Sequence, residues 1–168
     1  MPEEMWLTEI VEGVLVGQRV MPIESVGLYV PGGKGNYPSV MVMLGICAMV
    51  AGVRKIVTCT PPTAEGSVNS GTLVAADLAG VTEIYKVGGA QAIAALAFGT
   101  ETVPKVDKIV GPGSPYVMAA RQLVAGVVDV GTVAGPSEAI ILADGEADPR
   151  NVALDLLVQA EHSADAAS

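Results

Sequence analysis

The chain has 168 residues and a net charge of −9, and hydrophobic residues make up 51% of it while aromatic residues make up only 4%. This length fits one domain, and the excess of acidic residues argues against nucleic-acid binding because it repels a phosphate backbone. The small aliphatic residues favour packed α/β layers over an aromatic-rich sandwich.

Five short runs rich in β-branched residues predict strands that are covered on both faces. In chain order they are Val26–Val30, Lys55–Thr60, Thr82–Val87, Asp107–Gly111 and Glu138–Asp144. Helices are predicted at Ser39–Ala51, Ser67–Ala79, Ala90–Phe98, Ser114–Ala125 and Asp148–His162. This alternation predicts an α/β fold with an open, mostly parallel sheet and helices on both faces. We expect one such domain at residues 18–168, preceded by an N-terminal segment at residues 1–17.

The residues at the predicted element ends agree with these limits. Gly52 and Gly80 stand where helices are expected to end. Pro61-Pro62 prevents the second strand from continuing. Asp148 precedes a proline and is expected to cap the last helix.

Cysteine usage and the apolar runs indicate the compartment. Cys47 and Cys59 lie in apolar runs without a CxxC spacing, which predicts two buried thiols in a reducing cytoplasm. The apolar run at residues 40–53 is shorter than the roughly 20 residues that a membrane-spanning helix needs. The opening MPEEMW lacks the basic region of an export signal. We therefore expect a cytoplasmic protein with no membrane partner.

Glycine-containing loops accompany four of the predicted strands, and ligands of open α/β sheets bind beyond the carboxyl ends of strands. The loops are Pro31–Pro38, Gly88–Gln91, Gly111–Ser114 and Gly131–Glu138. Glycine lets a backbone approach a ligand closely, and helix N-termini favour phosphate. None of the loops matches GxGxxG or GxxxxGK[ST], and any α/β domain uses glycine in its turns. A nucleotide pocket and a purely structural use of glycine both stay open.

The last predicted helix carries polar residues on one side. At 100° per residue, Asp155, Gln159 and His162 fall within about 60° of one another. The neighbouring stripe is apolar and consists of Val152, Leu156 and Ala160. Gln159 and His162 are one turn apart and able to converge on a metal ion. Glutamine is an uncommon zinc ligand, however, and a solvated helix face gives the same pattern.

Two candidate nucleophiles have ordinary explanations. Ser137 lies in GPSE, which lacks the GxSxG elbow of hydrolases, and the only histidine is distant in sequence. Cys59 lies in a predicted strand with only Lys55 as a nearby cation, which favours an inert buried thiol. A hydrolase is therefore disfavoured.

Taken together, the loop motifs resemble one family. VGLYVPGG, CTPP, VGGAQAIAALAFGTETVPKVDKIVGPG, AGPSE and LLVQAEH follow one another in this order. They resemble the L-histidinol dehydrogenase family from about Gln18 to the last residue. The resemblance implies a zinc-containing homodimer that oxidises L-histidinol to L-histidine in two NAD-dependent steps through an aldehyde. It also implies incomplete Rossmann-like domains that lack the usual glycine fingerprint.

The resemblance assigns roles to individual residues. It implies NAD contacts at Tyr29, at Gln91 and at the residue after GPG. That residue is usually asparagine in the family and is Ser114 here, whose hydroxyl has a shorter reach than an amide. It also implies a substrate contact at Ser137. Gln159 and His162 are implied as zinc ligands that also border the substrate.

The resemblance further implies functional groups beyond this chain. The family's other zinc ligands, an aspartate and a histidine, and its Glu-His acid–base pair are expected downstream of His162. We therefore expect a fragment with no catalytic residue of its own that is inactive alone. The alternatives are a non-catalytic nucleotide-binding or assembly module, and a superfamily member that oxidises another alcohol. For the latter, Lys34 would favour an anionic group, although a solvated lysine on a loop tip is the commoner case.

Overall fold

The computed structural model describes residues 5–32, 35–132, 138–161 and 166–167. The strands are β1 (Met5–Val11), β2 (Val14–Arg19), β3 (Ser25–Tyr29), β4 (Lys55–Thr60), β5 (Glu83–Lys86) and β6 (Lys108–Val110). The helices are α1 (Pro38–Val50), α2 (Ser70–Leu78), α3 (Gly89–Phe98), α4 (Pro115–Val124) and α5 (Pro149–Ala160). None of these helices, within the described residues, is long and apolar enough to cross a membrane.

Two compact units make up the chain, Met1–Gly131 and Thr132–Ser168. The first contains β1 to β6 and α1 to α4, and the second contains α5. The expected division into residues 1–17 and 18–168 stays a prediction.

The main sheet of the first unit confirms the predicted α/β fold. Its four strands are all parallel and lie in the order β5-β4-β3-β6. Within this sheet the chain passes first through β3, then outward through β4 to β5, and then returns to the other side of β3 as β6. The direction of winding therefore reverses between β3 and β6, and such a switch point is where open α/β sheets bind ligands.

The side chains of β3 show that helices cover both faces of this sheet. Val26 and Leu28 belong to a buried cluster that includes Met41 of α1 and residues of α2. Gly27 points the other way, and a Cβ built on it would lie 2.9 Å from Leu96 of α3. The missing side chain therefore lets α3 pack directly on the centre of the sheet.

Two helices end as the sequence predicts. Gly52 has φ +76°, its N–H donates to the Met49 carbonyl (3.0 Å), and the next N–H, of Val53, donates to Ala48 (3.1 Å). The same pair of bonds follows α2, where Gly80 has φ +68°. This Schellman pattern satisfies carbonyls that a helix end leaves free, and glycine adopts the positive φ without a Cβ penalty.

An antiparallel hairpin precedes the sheet and was not predicted. β1 and β2 pair with Met5 opposite Arg19 and turn at Gly13, which has φ +80°. Every residue of both strands is exposed. The hairpin therefore lacks the clean alternation of buried and exposed residues by which a strand is recognised from sequence.

The fifth predicted strand, Glu138–Asp144, is wrong. Glu138 forms an isolated bridge with Ala167, and the Ala139 N–H donates to the Ala167 carbonyl (3.0 Å). No strand is assigned at residues 139–144, where Ile140 and Leu142 are 93% and 99% exposed. An apolar run forms a strand only beside a strand that can hydrogen-bond with it, and sequence pattern cannot supply that neighbour.

Helix α5 follows in the same unit. Its predicted cap is confirmed, because Asp148 Oδ1 accepts the Arg150 N–H at 2.8 Å. Its half-buried residues are Val152, Leu156 and Gln159. Gln159 thus lies on the apolar face of the helix, in line with Val152 and Leu156.

Candidate cofactor-binding site

Three loops meet at Pro61, which follows β4 at the carboxyl edge of the sheet. A Cβ built on Gly32, in the loop after β3, would lie 3.0 Å from Pro61 Cγ. A Cβ built on Gly88, in the loop after β5, would lie 2.6 Å from Pro61 Cβ. The glycines therefore allow these loops to close around the proline, and at least two of the four predicted loops gather at one edge.

Tyr29 and Gln91, two of the predicted cofactor residues, meet at Gly89. Tyr29 ends β3 with a buried side chain, and its hydroxyl accepts the N–H of Gly89 at 2.9 Å. Gln91 is exposed in the first turn of α3, and a Cβ built on Gly89 would lie 2.9 Å from its Oε1. Gly89 is thus bonded to one predicted cofactor side chain and lies beside the other, although the two are far apart in sequence.

The third predicted cofactor residue, Ser114, is joined to Tyr29 through the loop after β6. Gly111 begins this loop with φ +126°, and a Cβ built on it would overlap the carbonyl oxygen of Tyr29. Ser114 ends the loop as the exposed N-cap of α4. The loops that carry Gln91 and Ser114 therefore both contact Tyr29, which stands at the switch point between β3 and β6.

The helices that begin at this edge differ in how they are capped. Asn69 caps α2 by accepting the Thr72 N–H at 3.3 Å. In contrast, the N-cap residues of α1, α3 and α4 make no side-chain cap within the described residues, although Tyr29 accepts the N–H of Gly89, the first residue of α3. None of the three carries an acidic residue in its first turn. Their N–H groups and dipoles favour an anion at the edge where the glycine loops converge.

A cavity of about 230 Å³ opens beside these loops. Its wall combines the chain after β3, the chain after β4 and the start of α2. The polar groups that line it include Asn36, Thr60, Thr63, Asn69 and Thr72. Among the described residues, the cavity is therefore lined by hydroxyl and amide groups rather than by charged side chains.

Arg121 of α4 is a buried cation that was not predicted. Its side chain lies beneath the loop that starts at Gly111, whose carbonyl accepts its Nη1–H at 2.8 Å. Desolvation by burial lowers the pKa of this guanidinium. The signal was present in the sequence, because Arg121 interrupts an apolar helical stripe of Val117, Met118 and Val124.

The predicted substrate and zinc residues belong to a different part of the chain. Gln159 is half-buried on α5. Ser137, His162 and Lys34 lie outside the described residues. Among the residues that are described, no three His, Cys, Asp or Glu side chains lie together as a metal-binding group.

The two thiols differ from each other. Cys59 is fully buried in β4, and burial raises the pKa of its thiol to about 12, in agreement with an inert thiol. Cys47 is exposed, so the prediction that both thiols are buried is wrong. Helix α1 is apolar on every side (PSVMVMLGICAMV), so periodicity does not indicate which of its faces is buried.

Comparisons with known proteins agree with the resemblance in the loops. The histidinol dehydrogenase of Synechocystis sp. is 57% identical over 168 residues, which are all of this chain and 39% of that protein. A histidinol dehydrogenase homolog of Colwellia psychrerythraea is 54% identical over the same length and is covered to 38%. The crystal structure of histidinol dehydrogenase from Elizabethkingia anophelis superimposes with a TM-score of 0.92 at 48% identity. That match covers 98% of this chain and 38% of the crystallised one.

The chain thus spans about two fifths of the length of the curated relatives it matches. A sequence model of the family described as histidinol dehydrogenase matches residues 1–168. The chain therefore belongs to the histidinol dehydrogenase family.

Proposed function

We propose that this chain is the NAD-binding part of a zinc-dependent dehydrogenase that oxidises L-histidinol to L-histidine through the aldehyde. In this proposal it works as a homodimer in the cytoplasm. The observation that carries the proposal is the position of Tyr29, which touches the loops of Gln91 and Ser114 at the switch point of the sheet. Family membership supports the choice of reaction.

Tyr29 suits a cofactor contact because of how its hydroxyl is already bonded. The oxygen accepts the Gly89 N–H, which leaves the hydroxyl proton free to be donated to a cofactor oxygen. Gln91 is exposed beside it and offers both an amide donor and an amide acceptor. Ser114 offers a single hydroxyl, so its contact is the weakest of the three.

The starts of α1, α3 and α4, whose N-cap residues make no side-chain cap within the described residues, support the binding of a dinucleotide. Backbone N–H groups at a helix start favour a negative charge, and the pyrophosphate of NAD carries two. Since no acidic side chain in the first turn of these helices opposes that charge, the edge is suited to it. The proposed NAD site therefore does not require a GxGxxG loop.

The oxidation needs groups that this chain supplies only in part. NAD would accept the hydride, and zinc would act as a Lewis acid toward the substrate. Gln159 and His162 are our proposed zinc ligands, and Ser137 our proposed substrate contact. The step also needs a base for the hydroxyl proton. Since the only histidine of the chain, His162, is assigned to zinc, we propose that the base lies on polypeptide outside this chain.

Calorimetric titration with NAD tests the cofactor assignment. We expect binding at millimolar NAD, and we expect Tyr29→Phe and Gln91→Ala each to weaken it by about tenfold, the worth of one hydrogen bond at a polar site. Ser114→Asn should tighten binding by restoring the family's usual amide. Gln122→Ala is the matched control for Gln91→Ala, because Gln122 is exposed near the opposite end of α4. Equal NAD affinities for all variants would contradict the assignment of Tyr29, Gln91 and Ser114 as cofactor contacts.

Two further measurements test whether the base and the complete zinc site lie outside this chain. The chain mixed with NAD, zinc and L-histidinol should form no NADH, and steady turnover would show that the base is present in this chain. Zinc affinity should be far weaker than that of a complete four-ligand site. Nanomolar zinc binding by the chain alone would mean that further ligands exist in it. Turnover of a different alcohol by the full-length protein, but not of L-histidinol, would favour the other superfamily reaction.

A second candidate function, an assembly module, is favoured by an apolar groove of about 890 Å³. It is lined by residues 20–23 and by exposed side chains of α1 that include Met43, Cys47 and Val50. We propose a second copy of the chain as the occupant. Sedimentation should then show a dimer that Met43→Glu dissociates, with Leu123→Glu as the control on an exposed face of α4. A stable dimer without any NAD binding would favour assembly over cofactor binding.

A further inference from the structure

Arg121 of α4 lies on the same face of the helix as its N-cap residue. Ser114 is the N-cap, and Arg121 follows it by two helical turns, so the two residues share one face. Arg121 is only 3% exposed. Its guanidinium reaches back beneath the Gly111–Ser114 loop instead of pointing into solvent.

The guanidinium bonds to carbonyls from three separate pieces of backbone. Nη1–H donates to Gly111 at 2.8 Å, and Nη2–H donates to Val130 and, at 3.5 Å, to Ile109. Ile109 is in β6, Gly111 starts the loop after it, and Val130 lies at the end of the first unit. One side chain therefore connects the last strand, the candidate cofactor loop and the chain that leads to Thr132.

The segment before Thr132 is also fastened to β6 by its backbone. The Ile109 N–H donates to the Asp129 carbonyl at 2.7 Å, and the Asp129 N–H donates to the Asp107 carbonyl at 3.1 Å. Residues 128–130 thus run beside β6, and Arg121 adds a side-chain tie at Val130. The loop and this segment are consequently held by the same group.

Gly111 needs such a tie because its own backbone has wide freedom. It has φ +126° and no room for a side chain against the Tyr29 carbonyl, so glycine is required there. The same lack of a side chain permits other backbone conformations when nothing holds the peptide. The bond from Arg121 to the Gly111 carbonyl selects one orientation of the loop that ends at Ser114.

We propose that Arg121 is a positioning residue that holds the Gly111–Ser114 loop in the conformation that binds NAD. It acts through the loop and does not itself touch the cofactor. This inference rests on the proposed NAD-binding function. Arginine is required because its planar fork donates in several directions, whereas lysine presents one point charge on a flexible stem.

The test compares Arg121→Lys with the unaltered chain at a temperature where circular dichroism shows both fully folded. We expect the Kd for NAD to rise about tenfold, since a loop contact of one hydrogen bond is lost. We also expect faster hydrogen exchange at the amides of Gly111, Gly113 and Ser114, since Pro112 has no N–H, and unchanged exchange at residues 89–98. A role confined to stability would leave the Kd of a fully folded chain unchanged. Arg54→Lys is the control, because Arg54 forms an exposed ion pair with Glu24 and is remote from the Gly111–Ser114 loop in sequence.

A second measurement on the unaltered chain keeps the inference testable if Arg121→Lys does not fold. The Nη–H resonances of Arg121 should shift when NAD saturates the protein, because their acceptor at Gly111 belongs to the loop. Resonances that do not move, or a folded Arg121→Lys chain with a Kd within twofold of the original, would overturn the inference. If the unaltered chain binds no NAD at all, the proposed function fails, while faster exchange at residues 111–114 in the variant still reports whether Arg121 holds the loop.

Discussion

Replacing Gly111 by alanine should disrupt the junction between β3 and β6. The backbone at φ +126° is accessible to glycine and costs another residue about 1–3 kcal/mol. The new Cβ would overlap the Tyr29 carbonyl oxygen, so the end of β6 has to move away from β3. That movement weakens the Arg121 bond to Gly111, which adds about 1–3 kcal/mol for a buried hydrogen bond. The total loss is about 2–6 kcal/mol.

Gly66→Ala is the matched control. Gly66 also has a positive φ, +75°, but a Cβ built there would meet nothing within 4 Å. The control should therefore lose only the backbone term, about 1–2 kcal/mol. Urea unfolding followed by far-ultraviolet circular dichroism gives both values from the midpoint and the slope. If Gly111→Ala is destabilised by no more than Gly66→Ala, the close approach of Gly111 to Tyr29 does not limit the packing, and the reasoning is refuted.

Four further predictions concern groups away from the cofactor loops. Ellman's reagent should label Cys47 in the folded chain and Cys59 only after unfolding. Burial raises the pKa of Cys59 from 9.0 to about 12, so the folded state keeps a thiol proton that the unfolded state loses above pH 9. The free energy of unfolding should therefore fall by at most about 1.4 kcal/mol per pH unit from pH 9 to 12. A Cys59→Ala chain with the same pH dependence would contradict this. Ser25→Ala should lower the free energy of unfolding by about 1–3 kcal/mol, because the Ser25 hydroxyl donates to Asp107 Oδ2 at 2.6 Å and accepts the Asp107 N–H at 3.0 Å. It should leave NAD affinity unchanged, since these bonds lie at the end of the strands opposite the proposed site. Weaker NAD binding would count against that placement. Ile93→Ala should lower the free energy of unfolding in urea by about 2–5 kcal/mol, against about 0.5–1.5 kcal/mol for Ile93→Val, because this side chain of α3 is fully buried. Equal losses would mean that neighbouring side chains fill the cavity left by the shorter residue.

Several elements were predictable because local chemistry specifies them. The runs at β4 and β5 are β-branched and bounded by turn residues, and the four parallel strands lie where the sequence predicts them within one or two residues. Gly52 and Gly80 end their helices for a steric reason that acts within a few residues. The Asp148 cap is equally local. None of these features depends on what the rest of the chain does.

Other features depend on contacts between distant parts of the chain. The run at Glu138–Asp144 has strand-like residues but pairs only at its start, since pairing requires a neighbouring strand. Cys47 is exposed because α1 is apolar all round and only its packing decides which side is covered. The bond between Tyr29 and Gly89 joins the ends of two strands that are not adjacent, and no spacing rule predicts it.

The sequence by itself determined the α/β class, the position of the glycine loops and the family, because periodicity, turn chemistry and ordered motifs are all written along the chain. Only the tertiary structure decided that β6 returns beside β3, that Gly111 lies against the Tyr29 carbonyl, and that Arg121 is buried beneath the loop. The physical reason is that the first two features bring together backbone groups from strands that are far apart in sequence, while the burial of Arg121 depends on where the carbonyls of Ile109, Gly111 and Val130 lie around it. Hydrogen bonding and steric exclusion between such groups depend on the order of strands in the sheet, which local propensity does not encode.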